Sequence, residues 1–284
     1  MVVKAPEQFE HAGQREARLP KHDPRTAQAG DDVIVDLRAC SWVRPPAALW
    51  CLIFGRLTLA SGVPFTLLVP DNIGVATYLQ AIGLFDLLKE AGANVDDRGV
   101  GKGSQGQIGV PLTKIASERD VEDVTNLALE QLEARQLGAP NRRGTVAEAF
   151  AELGMNAVQH SESAVGAFGM IQYYDLGSGP RFACVVADGG VGIMASLERN
   201  PALQGKVFYD WDAIAMAMQE RVSGTADPTR GIGLYAIAEE LRRPKHHLLI
   251  HSGIGLVSQS EELEADARRT PLFPGTLAYA TLPA

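Results

Sequence analysis

Cysteine is scarce in this chain of 284 residues: Cys40, Cys51 and Cys184 are the only three, each inside an apolar run. Their uneven spacing excludes a disulfide framework and contains no zinc-ligand pattern, so they read as small buried hydrophobes of a reducing compartment. Basic charge is also short. Twenty-six Lys and Arg face 34 Asp and Glu, a formal charge of −8, which argues against a general nucleic-acid binder, since such a protein needs a basic face. No stretch approaches the ~18 uninterrupted apolar residues of a membrane span, and the first residues carry no signal-peptide core. The expectation is a cytoplasmic protein with no membrane and no nucleic-acid partner. No internal repeat is visible.

Hydrophobic residues nevertheless make up 46% of the chain, enough for real cores, and its length suits about two domains at ~100–200 residues each. Residues 1–30 are polar and read as a flexible N-terminal tail. From there strand and helix alternate. Asp32–Leu37 and Pro64–Val69 are β-branched or apolar runs that predict strands; Ala47–Ala60 and Ile73–Leu88 predict helices, the second interrupted at Gly83. This is the pattern of an α/β layer over 31–110. Glycines between Asp96 and Gln107 predict a connection. A phosphate loop there would need Ser or Thr after Lys102, where Gly103 stands.

The segment 117–284 predicts a second domain. Glu118–Gln136 is an amphipathic helix, Ala164–Tyr174 and Arg181–Val186 are strands, Asp210–Arg221 and Ala236–Arg242 are helices, and His246–His251, Gly255–Ser260 and Gly275–Pro283 close the chain as strands. Within it, Thr145–Ser161 has two stripes. Val146, Phe150, Leu153 and Ala157 form a core-facing apolar stripe, while Glu152, Asn156 and His160 follow one another at four-residue steps and share one side of the helix. A carboxylate, an amide and an imidazole so stacked either line a solvated face or hold a hydrated cation and orient a water. Downstream, an apolar run ends in Asp188-Gly189-Gly190-Val191-Gly192-Ile193, and Thr229-Arg230-Gly231-Ile232-Gly233-Leu234 leads into a helix. Glycine permits close backbone approach, and amides at a helix start favour phosphate; each pattern alone also fits an ordinary turn.

In this order and spacing, ELGMNAVQHS (152–161), DGGVGI (188–193) and RGIGL (230–234) resemble the nucleotide-binding boxes of the GHKL ATPase superfamily. GTLAYATLP (275–283) resembles the closing strand of histidine-kinase ATPase domains. The resemblance covers about residues 117–284 and implies a two-layer α/β sandwich of the Bergerat type. Residues 30–95 resemble a STAS-type domain, the fold of anti-sigma-factor antagonists. They depart from it at Pro45-Pro46-Ala47, where antagonists carry a phosphorylatable hydroxyl at the start of the first main helix. The nearest hydroxyl is that of Ser41.

The resemblance implies ATP and Mg2+ as ligands. Asn156 is the implied magnesium ligand, Glu152 the general base, and Asp188 the acceptor for the adenine amine, joined through water by Thr276. Gly190, Gly192, Gly231 and Gly233 supply room and amides for the phosphates, flanked by Ile193 and Leu234. Arg230 either pairs with phosphate or is solvated; His160 either packs or contacts nucleotide. The histidine phosphoacceptor motif of a complete two-component kinase is missing. An ATPase or serine/threonine kinase of the partner-switching kind is therefore expected, with a regulatory protein partner, and a homodimer is compatible with it. The alternative is a non-catalytic ATP-sensing module whose lid, Ala195–Arg230, responds to nucleotide.

Overall fold

β-Branched and apolar residues at alternating positions build the first sheet. The computed structural model describes residues 1–14, 19, 23–26, 30–101, 103, 108–175, 179–224, 231–260 and 263–284. The chain divides into two units, Met1–Gly106 with Thr270–Pro274, and Gln107–Arg269 with Gly275–Ala284. Both mix α and β.

The first unit contains β1 (Val2–Lys4), β2 (Gln8–Phe9), β3 (Val33–Asp36), β4 (Trp42–Val43), α1 (Pro45–Ala60), β5 (Phe65–Leu68), α2 (Ile73–Ala81), α3 (Leu84–Glu90) and β6 (Asn94–Asp96). Its four-stranded sheet has the order β1-β3-β5-β6 and every pairing is parallel. The register aligns Val3, Val35, Leu67 and Val95 in one row across the sheet, and all four are buried. Pro45 and Pro46 open α1 where their missing N–H groups cost nothing. Gly83 takes φ 86° and separates α2 from α3. Asn72 caps α2 by accepting from the Gly74 and Val75 amides.

The N-terminal segment departs from the expected tail. Val2–Lys4 extends the sheet beside β3, and Phe9 is fully buried with its ring edge-on to Trp50 at 5.8 Å. A polar average over thirty residues hides these few apolar anchors, which gain a partner only once the sheet exists. The remainder of the expected tail lies largely outside the described residues. Ser41 is exposed, 3.3 Å from Glu7 Oε1, and no hydroxyl stands at the start of α1.

The second unit contains β7 (Ile108–Ile115), α4 (Glu118–Ala134), α5 (Pro140–His160), β8 (Ala167–Asp175), β9 (Pro180–Asp188), α6 (Gly192–Leu197), α7 (Asp210–Ala217), α8 (Gly233–Glu240), β10 (His247–Ser260) and β11 (Leu263–Pro283). Ile108–Ile115 thus belongs to this unit as an edge strand, across the boundary drawn at 110. Its sheet runs β10-β11-β9-β8-β7, and the pairs β7–β8, β8–β9 and β9–β11 are antiparallel. Ser117 and Asp120 form a reciprocal capping box that starts α4, and Gln136 at φ 54° ends the helical path.

The apolar stripe of α5 lies where its spacing places it: Val146, Phe150, Leu153 and Ala157 are buried together with Val121, Ala128 and Leu132 of α4 and Phe182, Cys184 and Val186 of β9. Two glycines set the layer spacing. A Cβ on Gly154 would stand 3.1 Å from Val121, and one on Gly169 would stand 2.6 Å from the Phe150 ring. The Phe150 ring fills the space that a side chain of β8 would take. The three cysteines are buried, and burial pushes the thiols of Cys40 and Cys184 up to about 12. Among the described residues, no helix is long and apolar enough to cross a membrane.

Candidate functional site

The C-terminal half of α5 forms one wall of a cavity of about 340 Å³. Glu152, Asn156 and His160 all line it, as their four-residue spacing on one helical side requires. Leu153 and Ala157 touch the same space from the neighbouring stripe. The opposite walls come from distant parts of the chain: Asp188 at the end of β9, Gly192 and Ile193 at the start of α6, Gly231, Gly233 and Leu234 at the start of α8, and Thr276 on β11. Gly190 is not among the lining residues, and Arg230 lies outside the described residues.

Sheet register sets the deepest corner. Asp188 lies opposite Thr276 on β11 and opposite Ala167 on β8. Its carboxylate is almost fully buried, and Oδ1 accepts the Gly190 amide at 2.8 Å. Gly275, at φ 132°, brings the two strands together, and a Cβ there would stand 2.9 Å from the Asp188 carbonyl carbon and strike its oxygen. A buried Ser252 organises the neighbouring turn. Its Oγ accepts from the Ile193 amide at 2.8 Å, donates to the Gly275 carbonyl at 3.1 Å, and lies 3.2 Å from Thr276 Oγ1. One hydroxyl therefore ties the start of α6 to the strand that carries Thr276. Ser252 stands between His251 and Gly253 with no local pattern to mark it, so only the fold identifies it.

The glycines divide into different jobs. Gly190 allows its backbone to approach the end of α5: a Cβ there would overlap the Ser161 carbonyl, with the carbonyl carbon at 2.5 Å. The same carbonyl accepts the Val191 amide at 2.9 Å. Gly190 therefore has a packing role against the end of α5, whatever its backbone does toward a ligand. Gly231, at φ 85°, presses against Val222, whose carbonyl oxygen would be 2.5 Å from an added Cβ. Gly233 faces the cavity itself: an added Cβ would land on Glu152 Oε2, with Cδ at 2.9 Å. The exposed Glu152 carboxylate therefore sits against the first turn of α8, where helix-start amides and the macrodipole favour negative charge.

Asn156 has a buried Nδ2 with no hydrogen-bond partner. An orphaned amide that lines a cavity costs roughly 1–3 kcal/mol unless a ligand satisfies it. Turning the amide by half a rotation offers Oδ1 to the same space. Among the described residues, no group of three or more His, Cys, Asp or Glu is arranged as a metal site. Oδ1, so turned, is an oxygen of the kind that magnesium takes beside waters and phosphates.

Much of the expected closing segment is packed structure. Ala213 and Ile214 of α7 are fully buried, and Asp210 Oδ2 accepts the Ile254 amide at 2.9 Å. Gly253 and Gly255 make this docking feasible, since a Cβ at either would collide with Asp210 or Trp211. His247–Ser260 is one continuous strand through these two glycines, in place of the two separate strands expected. Residues 225–230 lie outside the described residues.

No family model matches the chain, and no curated protein matches it.

Proposed function

We propose that the second unit binds Mg-ATP in this cavity and turns it over, as an ATPase or serine/threonine protein kinase of the GHKL type, with the STAS-like first unit receiving a regulatory protein partner. One observation carries the reading. Three segments that resemble the GHKL boxes, separated by dozens of residues, supply Glu152, Asn156, Asp188 and Gly233 to the walls of one cavity. Its size falls within the range of small-molecule sites.

Asp188 accepts from the exocyclic amine of adenine, with Thr276 opposite it on the next strand. Ile193 and Leu234 provide apolar walls. Amides at the start of α8 donate to phosphate oxygens, and the bare backbone of Gly233 lets the Glu152 carboxylate stand beside them. Asn156 would hold Mg2+ through its amide oxygen, and the ion would supply positive charge for the phosphates. Glu152 accepts the proton of the attacking hydroxyl or water. His160 lines the pocket at the end of α5. Arg230 remains a candidate phosphate partner from the sequence pattern.

Calorimetry with ATP and Mg2+ tests binding. Asp188→Asn is expected to weaken ATP by roughly tenfold or more, about 1.4 kcal/mol. Glu152→Gln is expected to bind ATP nearly as wild type while losing ~10²–10⁴-fold in turnover. Equal binding by wild type and Asp188→Asn would show that the site is misassigned. ATP binding without phosphate release or transfer, unchanged in Glu152→Gln, would make the protein a nucleotide-sensing module instead.

A further inference from the structure

We propose that the far end of α5 forms a cationic docking surface for an acidic segment of a partner polypeptide, centred on Arg142, Arg181 and Lys245. This surface is separate from the cavity. Arg142 is in the first turn of α5 and Asn156 lies fourteen residues further on, ~21 Å along the axis at 1.5 Å per residue.

Three chain segments converge there. His246 is buried, and its Nδ1 lies 3.0 Å from the Pro244 carbonyl and 3.2 Å from that of Arg243. Two carbonyl neighbours require the proton on Nδ1, which leaves Nε2 to accept from Arg142 Nη1 at 3.2 Å. Burial, with the Arg142 charge beside it, lowers the pKa of His246, so the ring binds Arg142 without adding charge. Arg181 donates to the Lys245 carbonyl and to Thr281 Oγ1 at 3.0 Å. Lys245 itself is exposed, at φ 62°. Arg143 donates to the Gly138 carbonyl.

The three arginines use carbonyls, a hydroxyl or a neutral imidazole as partners, and among the described residues Arg142, Arg181 and Lys245 form no ion pair. The nearby acids are engaged elsewhere: Glu239 with Arg242, and Glu240 with Arg243 at 2.7 Å. The helix end itself is cationic. No side chain caps Ala139, no acid stands in the first turn, and two arginines sit at the positive end of a 21-residue helix. That arrangement is unfavourable in the isolated chain and is relieved by an anion.

The charge balance selects a polypeptide. On a chain of formal charge −8 the cations form one patch, whereas nucleic acid needs a basic stripe that neutralises many phosphates. Guanidinium forks take carboxylates in paired hydrogen bonds. A second copy meeting this patch with a different face would make a head-to-tail contact, the kind that builds rings or filaments rather than a two-fold dimer.

The test uses the full chain and a fluorescent hexaglutamate peptide, followed by polarisation at ~50 mM and ~300 mM salt. Saturable binding is expected, weakened roughly tenfold in the Arg142→Gln/Lys245→Gln double variant and by the higher salt. ATP affinity should stay at the wild-type value in that variant, and peptide binding should survive Asp188→Asn, so this surface and the nucleotide site are read separately. If the double variant melts early, Lys245→Gln alone, whose side chain is exposed, should still weaken the peptide by roughly threefold. Absence of saturable binding, or equal affinity for wild type and variant, overturns the proposal. So does tighter binding of an oligonucleotide of equal charge, or self-association that Lys245→Gln abolishes.

Discussion

Replacing Gly233 with alanine separates the position of Glu152 from the stability of the fold. The new methyl group would fall on Glu152 Oε2, with Cδ at 2.9 Å. The atom in the way is the tip of an exposed, flexible side chain, so it yields without moving backbone. To reach ordinary contact the carboxylate oxygen must retreat by ~1.5 Å, and a misplacement of even ~1 Å costs roughly 10²-fold in rate, or about 2.7 kcal/mol of barrier. Gly233 is the first residue of α8 and is not among the glycines with positive φ. Alanine is therefore unstrained there and should stabilise by ~0.4–1 kcal/mol through the unfolded chain, raising Tm by about 1–4 °C. Gly190→Ala is the matched control. Its methyl group meets the Ser161 carbonyl, which is backbone at the end of α5 and cannot rotate aside. That variant should lose about 1–3 kcal/mol. Phosphate release at saturating Mg-ATP and thermal melts of both variants are the assays. Turnover of Gly233→Ala within threefold of wild type would refute the role given to Glu152 at α8. Tm shifts of the same sign in the two variants would refute the division of labour between the glycines.

Two further outcomes concern pH. Main-chain donation from Ala116, with the Ser117 hydroxyl and amide, holds the Asp120 carboxyl below the usual carboxylate range. Its contribution is full above the unfolded value of ~3.9 and is lost as pH falls through the folded value; Asp120→Asn should flatten stability in that acid window, and an unchanged acid limb in urea melts would count against the cap. His246 is shifted the other way for a base: burial lowers its pKa, so the unfolded chain takes up the proton first as pH drops below ~6.5. Stability from this site is full above that pH and declines below it, and an NMR titration should place the His246 midpoint below 6.5; a midpoint at or above that value would contradict the buried neutral ring.

Elements whose causes lie within a few residues were legible in the chain alone. The stripe Val146, Phe150, Leu153 and Ala157 reports a helix face because 3.6-residue geometry repeats locally, and Pro45-Pro46 marks the start of α1 while Gly83 marks a break for the same local reason. Glu152, Asn156 and His160 could be placed on one side of α5 from spacing alone. Tertiary structure decided what they face. Asp188 and Thr276 are brought opposite each other by antiparallel register, and Ser252 reaches Ile193 and Gly275 only because β10 passes the start of α6. The tasks of Gly190 and Gly233 look alike in sequence. One is set by a backbone carbonyl and the other by a carboxylate, both from α5. Phe9 was lost in a polar average because its partner, Trp50, arrives from a helix that begins only at Pro45. Propensity and periodicity act through neighbours along the chain, whereas clashes, register and burial depend on which distant atoms the sheet brings close.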